Sequence, residues 1–315
     1  MANGVITTAL PSYAGQIFTS DPTATPFLAM IGGLNGGKVT QNFEFITGQL
    51  YNVGDPTIPG HSEIDSLTAP DPSYEERAQK TNVTQIFHET VAISYVKQSN
   101  RDRLSGLNSA NQQANPQDEL AWQTDARLKR IAHDMEKTFL YGEYRKSTGT
   151  NVANQTRGMF ASIDTNVVDA NGGEVTYEML QALYLSMAEN GATFTNLHLF
   201  CSPYNKQKIT DLYKELTGFQ LPPTRTVGGA NVQDVVFDFG TLSIVWSRFV
   251  KNSEIGLFDM RYVDAVMQPV PGKGNFFREE LARTGAGETH QIFGQGGLDH
   301  GPDFVHGKII NLGSE

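Results

Sequence analysis

Apolar and polar residues alternate at Phe43-Glu44-Phe45 and again at Val91, Ile93 and Tyr95, with a stretch rich in Gly, Pro and Asp over about 48–75 between them. Period-two alternation puts one set of side chains on one face of a strand, so the pattern predicts a long two-stranded excursion with a broad tip. A hairpin with so little local core is marginal alone and is expected to pack against a partner.

The period then changes. Asn115-Pro116 offers a cap and a first helical position, Asp118 and Glu119 suit the positive end of a helix dipole, and Leu120, Leu128, Ile131, Met135 and Phe139 fall on one stripe. This predicts a helix from Pro116 to Tyr141, closed at Gly142 and about 39 Å long at 1.5 Å per residue. Such a rod with a single apolar stripe is a scaffold element. Beyond it the pattern predicts a helix at 176–189, a strand at 196–201, a helix at 204–216 and strands near 232–238, 241–249 and 254–258. Val263–Val270, Thr289–Phe293 and Phe304–Leu312 are candidate strands of a β-rich end. Mixed in this order, the elements define an α+β fold.

Residues 1–37 carry one ionised side chain, Asp21, among Pro11, Pro22 and Pro26. They read as an extended arm with a short apolar anchor at Phe27-Leu28-Ala29-Met30-Ile31, stabilised by lying on a neighbouring chain.

At 315 residues the chain is long enough for a substantial core, and its single cysteine, Cys201, excludes an internal disulfide. In Leu197-His198-Leu199-Phe200-Cys201 that residue reads as a small apolar strand position. No apolar run of membrane-spanning length and no signal-peptide pattern occurs, so a soluble chain without a membrane partner is expected. The 34 acidic against 24 basic residues, a net charge of −10, argue against a tight nonspecific grip on nucleic acid. A container that lets nucleic acid slide tolerates such a charge.

Several motifs approach catalytic chemistry and fall short. Gly32-Gly33-Leu34-Asn35-Gly36-Gly37-Lys38-Val39 is close to a phosphate-binding loop, but Val39 has no hydroxyl for magnesium, and a strand is predicted where a helix should start. It reads as a hinge between arm and loop. Asp299, His300, Asp303 and His306 are metal-ligand types, yet Gly301-Pro302 looks like a turn and the spacing fits no zinc or calcium loop. Glu279 and Glu280 point to opposite faces of a strand, which suits a charged surface better than acid–base work. Ser202 lacks a nucleophile elbow. No catalytic, cofactor or metal site is expected.

Three segments carry a family resemblance: Asn82-Val83-Thr84-Gln85-Ile86-Phe87; Thr156-Arg157-Gly158-Met159 with Ile163-Asp164-Thr165-Asn166-Val167; and His306-Gly307-Lys308-Ile309-Ile310-Asn311-Leu312. With the order of arm, long hairpin, long helix, mixed domain and returning strands, the chain resembles the major capsid proteins of tailed phages, of the Hong Kong 97-type fold. The resemblance implies an N-terminal arm at 1–37, an extended loop at 38–97, a peripheral domain at 98–164 with the spine helix and at 262–315 with the C-terminal strands, and an axial domain at 165–261. It also implies hexamers and pentamers closing an icosahedral shell around double-stranded DNA in the host cytoplasm, without sequence-specific DNA contacts. Portal, scaffolding and decoration proteins are the partners it implies. No long charged helical segment precedes the arm, so a separate scaffolding protein is expected. An encapsulin-like cargo shell is the alternative, and an unrelated α+β hydrolase a third reading.

Some relatives fuse subunits through a lysine of the extended loop. Here residues 39–79 contain no lysine, and Glu44, Asp55, Glu63, Asp65, Asp71, Glu75 and Glu76 face only Arg77. The loop is expected to attach noncovalently, with Glu63, Asp65, Asp71, Glu75 and Glu76 near Arg101, Arg103, Arg127, Lys129 and Arg130 of an adjacent subunit.

Overall fold

The computed structural model describes residues 25–34, 37–51, 58, 60–69, 77–99, 119–216, 234–237 and 240–313. In chain order the elements are α1 (Pro26–Met30), β1 (Lys38–Val39), β2 (Glu44–Tyr51), β3 (Arg77–Val83), β4 (Gln85–Ser94), α2 (Tyr95–Ser99), α3 (Glu119–Tyr141), α4 (Met159–Ser162), β5 (Val167–Asp169), α5 (Tyr177–Glu189), β6 (Leu197–Cys201) and α6 (Pro203–Leu216). They continue with β7 (Asp234–Phe237), β8 (Gly240–Trp246), β9 (Ile255–Asp259), β10 (Asp264–Met267), β11 (Phe276–Glu280), β12 (Gly287–Asp299) and β13 (Gly307–Ile310).

Two sheets organise these elements. β12 is the axis of the first: its length pairs antiparallel with β4 on one edge, while β11 and then β10 take the other, and β1 adds parallel to β10. The second has the order β5-β13-β9-β6-β8-β7, with β6 and β8 parallel. α3 packs its predicted stripe on the first sheet, and Ile131, Met135 and Phe139 are buried there with Phe87, Met267, Ile292 and Leu298. α5 and α6 cover the second sheet, where Leu180, Leu183, Met187, Leu199, Ile209 and Leu257 are buried together. An aromatic group of Phe27, Phe160, Phe200 and Phe258 joins the first core to the strands of the second sheet.

The structure departs from the sequence reading at four places. Phe27–Ile31 is not extended: Pro26 opens a one-turn helix, α1, whose Phe27 and Leu28 are buried. The two halves of the predicted excursion do not pair. β2 returns along β3, whose sequence RAQKTNV shows little apolar alternation, and Val91 and Ile93 belong to β4 against β12. Tyr95 opens α2 instead of extending the strand. The strand read at Thr289–Phe293 is 13 residues long because its glycines pack; a Cβ on Gly294 would lie 2.2 Å from the Phe276 ring. The spine helix is described from Glu119, so its predicted start at Asn115-Pro116 lies outside the described residues.

Candidate assembly interface

The β2–β3 hairpin is fastened at its root. Thr47 Oγ1 lies 3.2 Å from His300 Nε2, Lys80 pairs with Asp303 at 3.3 Å, and Lys146 pairs with Glu44 at 2.6 Å. Just before the hairpin, Lys38 bridges Asp264 and Asp299 at 2.9 and 2.7 Å. At the other end every described residue from 58 to 69 is exposed. A short 3-10 turn at Asp65–Leu67 shapes this tip: the Ser62 hydroxyl and backbone N–H donate to the Asp65 carboxylate, and the Asp65 N–H donates back to Ser62 Oγ. Those donors hold the Asp65 carboxyl below its ordinary range. The turn leaves Ile58, Ile64 and Leu67 almost wholly in water. Three large apolar side chains are thus exposed together among the described residues of this loop.

Glu63 and Asp65 are exposed on that tip. Arg127 and Arg130 of α3 converge on one carboxylate of the same chain, Glu89 of β4, each at 3.1 Å. Lys129 pairs one helical turn back with Asp125 at 2.7 Å. Arg130 also reaches Asp134 at 4.0 Å, so the two guanidiniums meet two carboxylates of their own chain. They border a groove of about 330 Å³ between β4 and α3, lined by Gln85, Phe87, Glu89, Ile131, Asp134 and Lys137 among others. Asp71, Glu75, Glu76, Arg101 and Arg103 lie outside the described residues.

Of the three segments that carry the resemblance, the first meets the second at the root of the hairpin, and the second meets the third in a separate knot. Asn82, fully buried near the end of β3, donates from Nδ2 to the carbonyls of Arg157 and Leu298 and accepts at Oδ1 from the N–H groups of Val83 and Arg157. Thr156 Oγ1 accepts from the Leu298 N–H, and Thr84 Oγ1 donates to Gln268 at 2.7 Å. A second knot forms where Asn166 Nδ2 donates to the carbonyls of Phe304 and His306, and Lys308 Nζ to that of Phe160. The first knot ties β3 to the body of the subunit. The chemistry of both knots is positional, and Asn82, within the polar run Gln79-Lys80-Thr81-Asn82-Val83-Thr84-Gln85, carries no local signal that marks it in sequence.

The candidate metal ligands have structural partners. His300 donates from Nδ1 to the Gly301 carbonyl; His306 donates from Nε2 to the His300 carbonyl and accepts at Nδ1 from the Asp259 N–H. Burial pushes both imidazoles down to about 4. Asp299 and Asp303 face lysines. Cys201 is buried and its thiol is pushed up to about 12, so it stays protonated. After Gly37, β1 is a strand, against a phosphate-binding reading.

The architecture is that of a Hong Kong 97-type capsid subunit. A family model described as SU10 major capsid protein matches residues 1–313, and the chain belongs to that family. The fold is shared with a subunit of the cyanophage A-1(L) capsid asymmetric unit, at TM-score 0.70 and 9% identity over 97% of this chain and 98% of that one. The capsid of cyanophage P-SCSP1u aligns at TM-score 0.55 and 13% identity, covering 97% and 93%. The holo-SrpI encapsulin of Synechococcus elongatus PCC 7942 aligns at 0.56 and 13%, covering 95% and 92%. No curated protein sequence matches the chain. The chain is thus a phage-type major capsid protein, a structural component of a virion shell built from many copies of itself. No helix among the described residues is long and apolar enough to cross a membrane.

Proposed function

We propose that the chain assembles in the host cytoplasm into hexamers and pentamers that close an icosahedral shell around double-stranded DNA. The observation that carries this is the hairpin: its root is tied into the first sheet, while Ile58, Ile64 and Leu67 sit exposed at its tip. An apolar tip on a fastened stem suits a contact with a second copy. In this reading residues 1–37 are the arm, 38–97 the extended loop, 98–164 and 262–315 the peripheral domain, and 165–261 the axial domain. Glu63 and Asp65, with Asp71, Glu75 and Glu76, approach Arg127 and Arg130 of the adjacent subunit, joined by Lys129, Arg101 and Arg103. Portal and scaffolding proteins, and a decoration protein where one is used, complete the partners. The net charge of −10 favours DNA that is enclosed without sequence-specific contacts.

Negative-stain electron microscopy of the purified protein tests this, with closed shells or hexameric capsomers expected. Particles isolated from infected cells should protect double-stranded DNA from nuclease. Monodisperse monomers under all assembly conditions would overturn the shell, and shells filled with an enzyme in place of DNA would favour the encapsulin-like alternative.

A further inference from the structure

Among the described residues two carboxylates are wholly buried with no ion pair on them: Asp259, which accepts from the N–H groups of Thr195, Asn196 and Arg261, and Glu136. Glu136, on the inner side of α3, has no exposed surface. Its Oε2 accepts from the Leu28 N–H at 2.7 Å, its Oε1 accepts from the Phe27 N–H at 3.1 Å, and Ser247 Oγ lies 3.4 Å from Oε1. The two N–H groups belong to the first turn of α1, where Thr25 makes no side-chain cap. Glu136 therefore serves as a cap supplied from more than 100 residues away, and it joins three parts of the chain: the N-terminal segment, the spine helix and the turn after β8.

Its surroundings are apolar. α1 itself, Pro26–Met30, has no ionisable side chain. Along α3 the ionisable neighbours are His133, Asp134 and Lys137, and in the turn after β8 Arg248 and Lys251; of these, Arg248 approaches His133 at 3.5 Å, Asp134 faces Arg130 at 4.0 Å and Lys251 lies over the Tyr141 ring. From β6 comes Cys201, whose thiol is protonated. None of these groups forms an ion pair with Glu136, and only neutral donors reach it.

We propose that Glu136 is a proton-operated latch on the N-terminal segment, holding α1 more firmly as the neutral acid than as the buried carboxylate. The neutral acid keeps both contacts to α1 and reverses the one to Ser247. Oε2 still accepts from Leu28, while a hydroxyl at Oε1 donates to Ser247 Oγ and retains a lone pair for the Phe27 N–H. The ionised form keeps the same partners but leaves a desolvated charge without a cation. Desolvation outweighs the three hydrogen bonds and raises the Glu136 carboxyl from its ordinary 4.5 to about 7. A group whose docked pKa exceeds its free value stabilises the docked state below the free value, and that stability is lost as pH rises through the docked value. The grip on α1 therefore tightens as pH falls from about 7 towards 4.5.

Hydrogen exchange of the full-length protein between pH 8.5 and 5.0, corrected for intrinsic exchange, reads the latch at the amides of residues 27–31. Their protection should rise on acidification, by up to about tenfold per pH unit below neutrality, while amides of α5 stay level. E136Q is permanently neutral but has one accepting oxygen in place of two, so it should hold the segment less tightly, with a protection that does not change with pH. S247A removes one donor to the carboxylate and should move the midpoint upward. Wild-type protection that is flat or falls on acidification overturns the latch, as does an E136Q protein that keeps the wild-type pH dependence.

Discussion

A buried amide that makes four hydrogen bonds has little freedom to be replaced. Asn82 has no exposed surface and each of its bonds crosses between segments distant in sequence or fixes the start of β4. N82A would strand the N–H of Arg157 and the carbonyls of Leu298 and Arg157 in a dry site, so a loss of roughly 3–5 kcal/mol is expected, measured by denaturant unfolding of the subunit. The two histidines of the neighbouring knot set a pH dependence of opposite sign to that of Glu136. His300 and His306 are held neutral, near 4 against an ordinary 6.5, so the folded state binds fewer protons than the unfolded chain in this interval. Their contribution is complete above pH 6.5 and is lost as pH falls through about 4. Protonating Nδ1 of His306 would also set a donor against the Asp259 N–H. The melting temperature should fall between pH 6.5 and 4, and H300Q should fall less steeply; an equal slope in both proteins would remove His300 from this account.

At the scale of elements, α3 ties the first sheet to α1 and α4. Met135 and Phe139 have no exposed surface and Ile131 almost none, so M135D would place an unpaired charge in the first core, at a cost of several kcal/mol, roughly 3–5. The melting curve of the subunit checks this; an unchanged midpoint would show that the stripe is not core. The hairpin tip should behave in the opposite way. Replacing Ile64 and Leu67 by Ser removes no buried contact, so the subunit should melt within about 1 °C of wild type while the yield of closed shells drops severalfold. Shells formed at the normal yield would show that the tip is not an adhesive contact. Legibility in the sequence followed the strength of each element's pattern. α5, β6, α6 and β9 lie within a residue or two of their predicted bounds because apolar periodicity and flanking turns agree there. β3 escaped because a strand with Asn82 and Lys80 turned towards a polar knot has no apolar alternation to show. β12 was shortened because glycines that admit Phe276 and Phe45 look like breakers when their neighbours are unknown. The anchor at 27–31 was visible as apolar, but one helical turn is too short to display a period, and its cap is a carboxylate on another helix. The loop's acidity was legible as composition; the pairing of Arg127 and Arg130 with Glu89 was not, since nothing local connects β4 to α3.

For the whole molecule the question is what holds one subunit to the next. A covalent link from the extended loop would need an amine on that loop, and residues 39–79 have none. The lysines at its margins are occupied: Lys38 lies between Asp264 and Asp299, and Lys80 faces Asp303. Lys146, beside the root, is taken by Glu44. Lys38 and Lys146, held protonated by their carboxylates, are poor nucleophiles, and drawing any of the three lysines out would unfasten the hairpin root. Attachment is therefore expected to be noncovalent, with the apolar tip supplying most of the association and the acidic loop against α3 setting orientation. Two measurements follow from this division. Mature shells boiled in denaturing detergent should run as a single band at 34.6 kDa, and a ladder of multimers resistant to reductant would refute noncovalent attachment. Salt should separate the contributions: the rate of shell assembly should fall severalfold between low and molar salt as steering is screened, while shells already closed should persist, because buried apolar area is not weakened by salt.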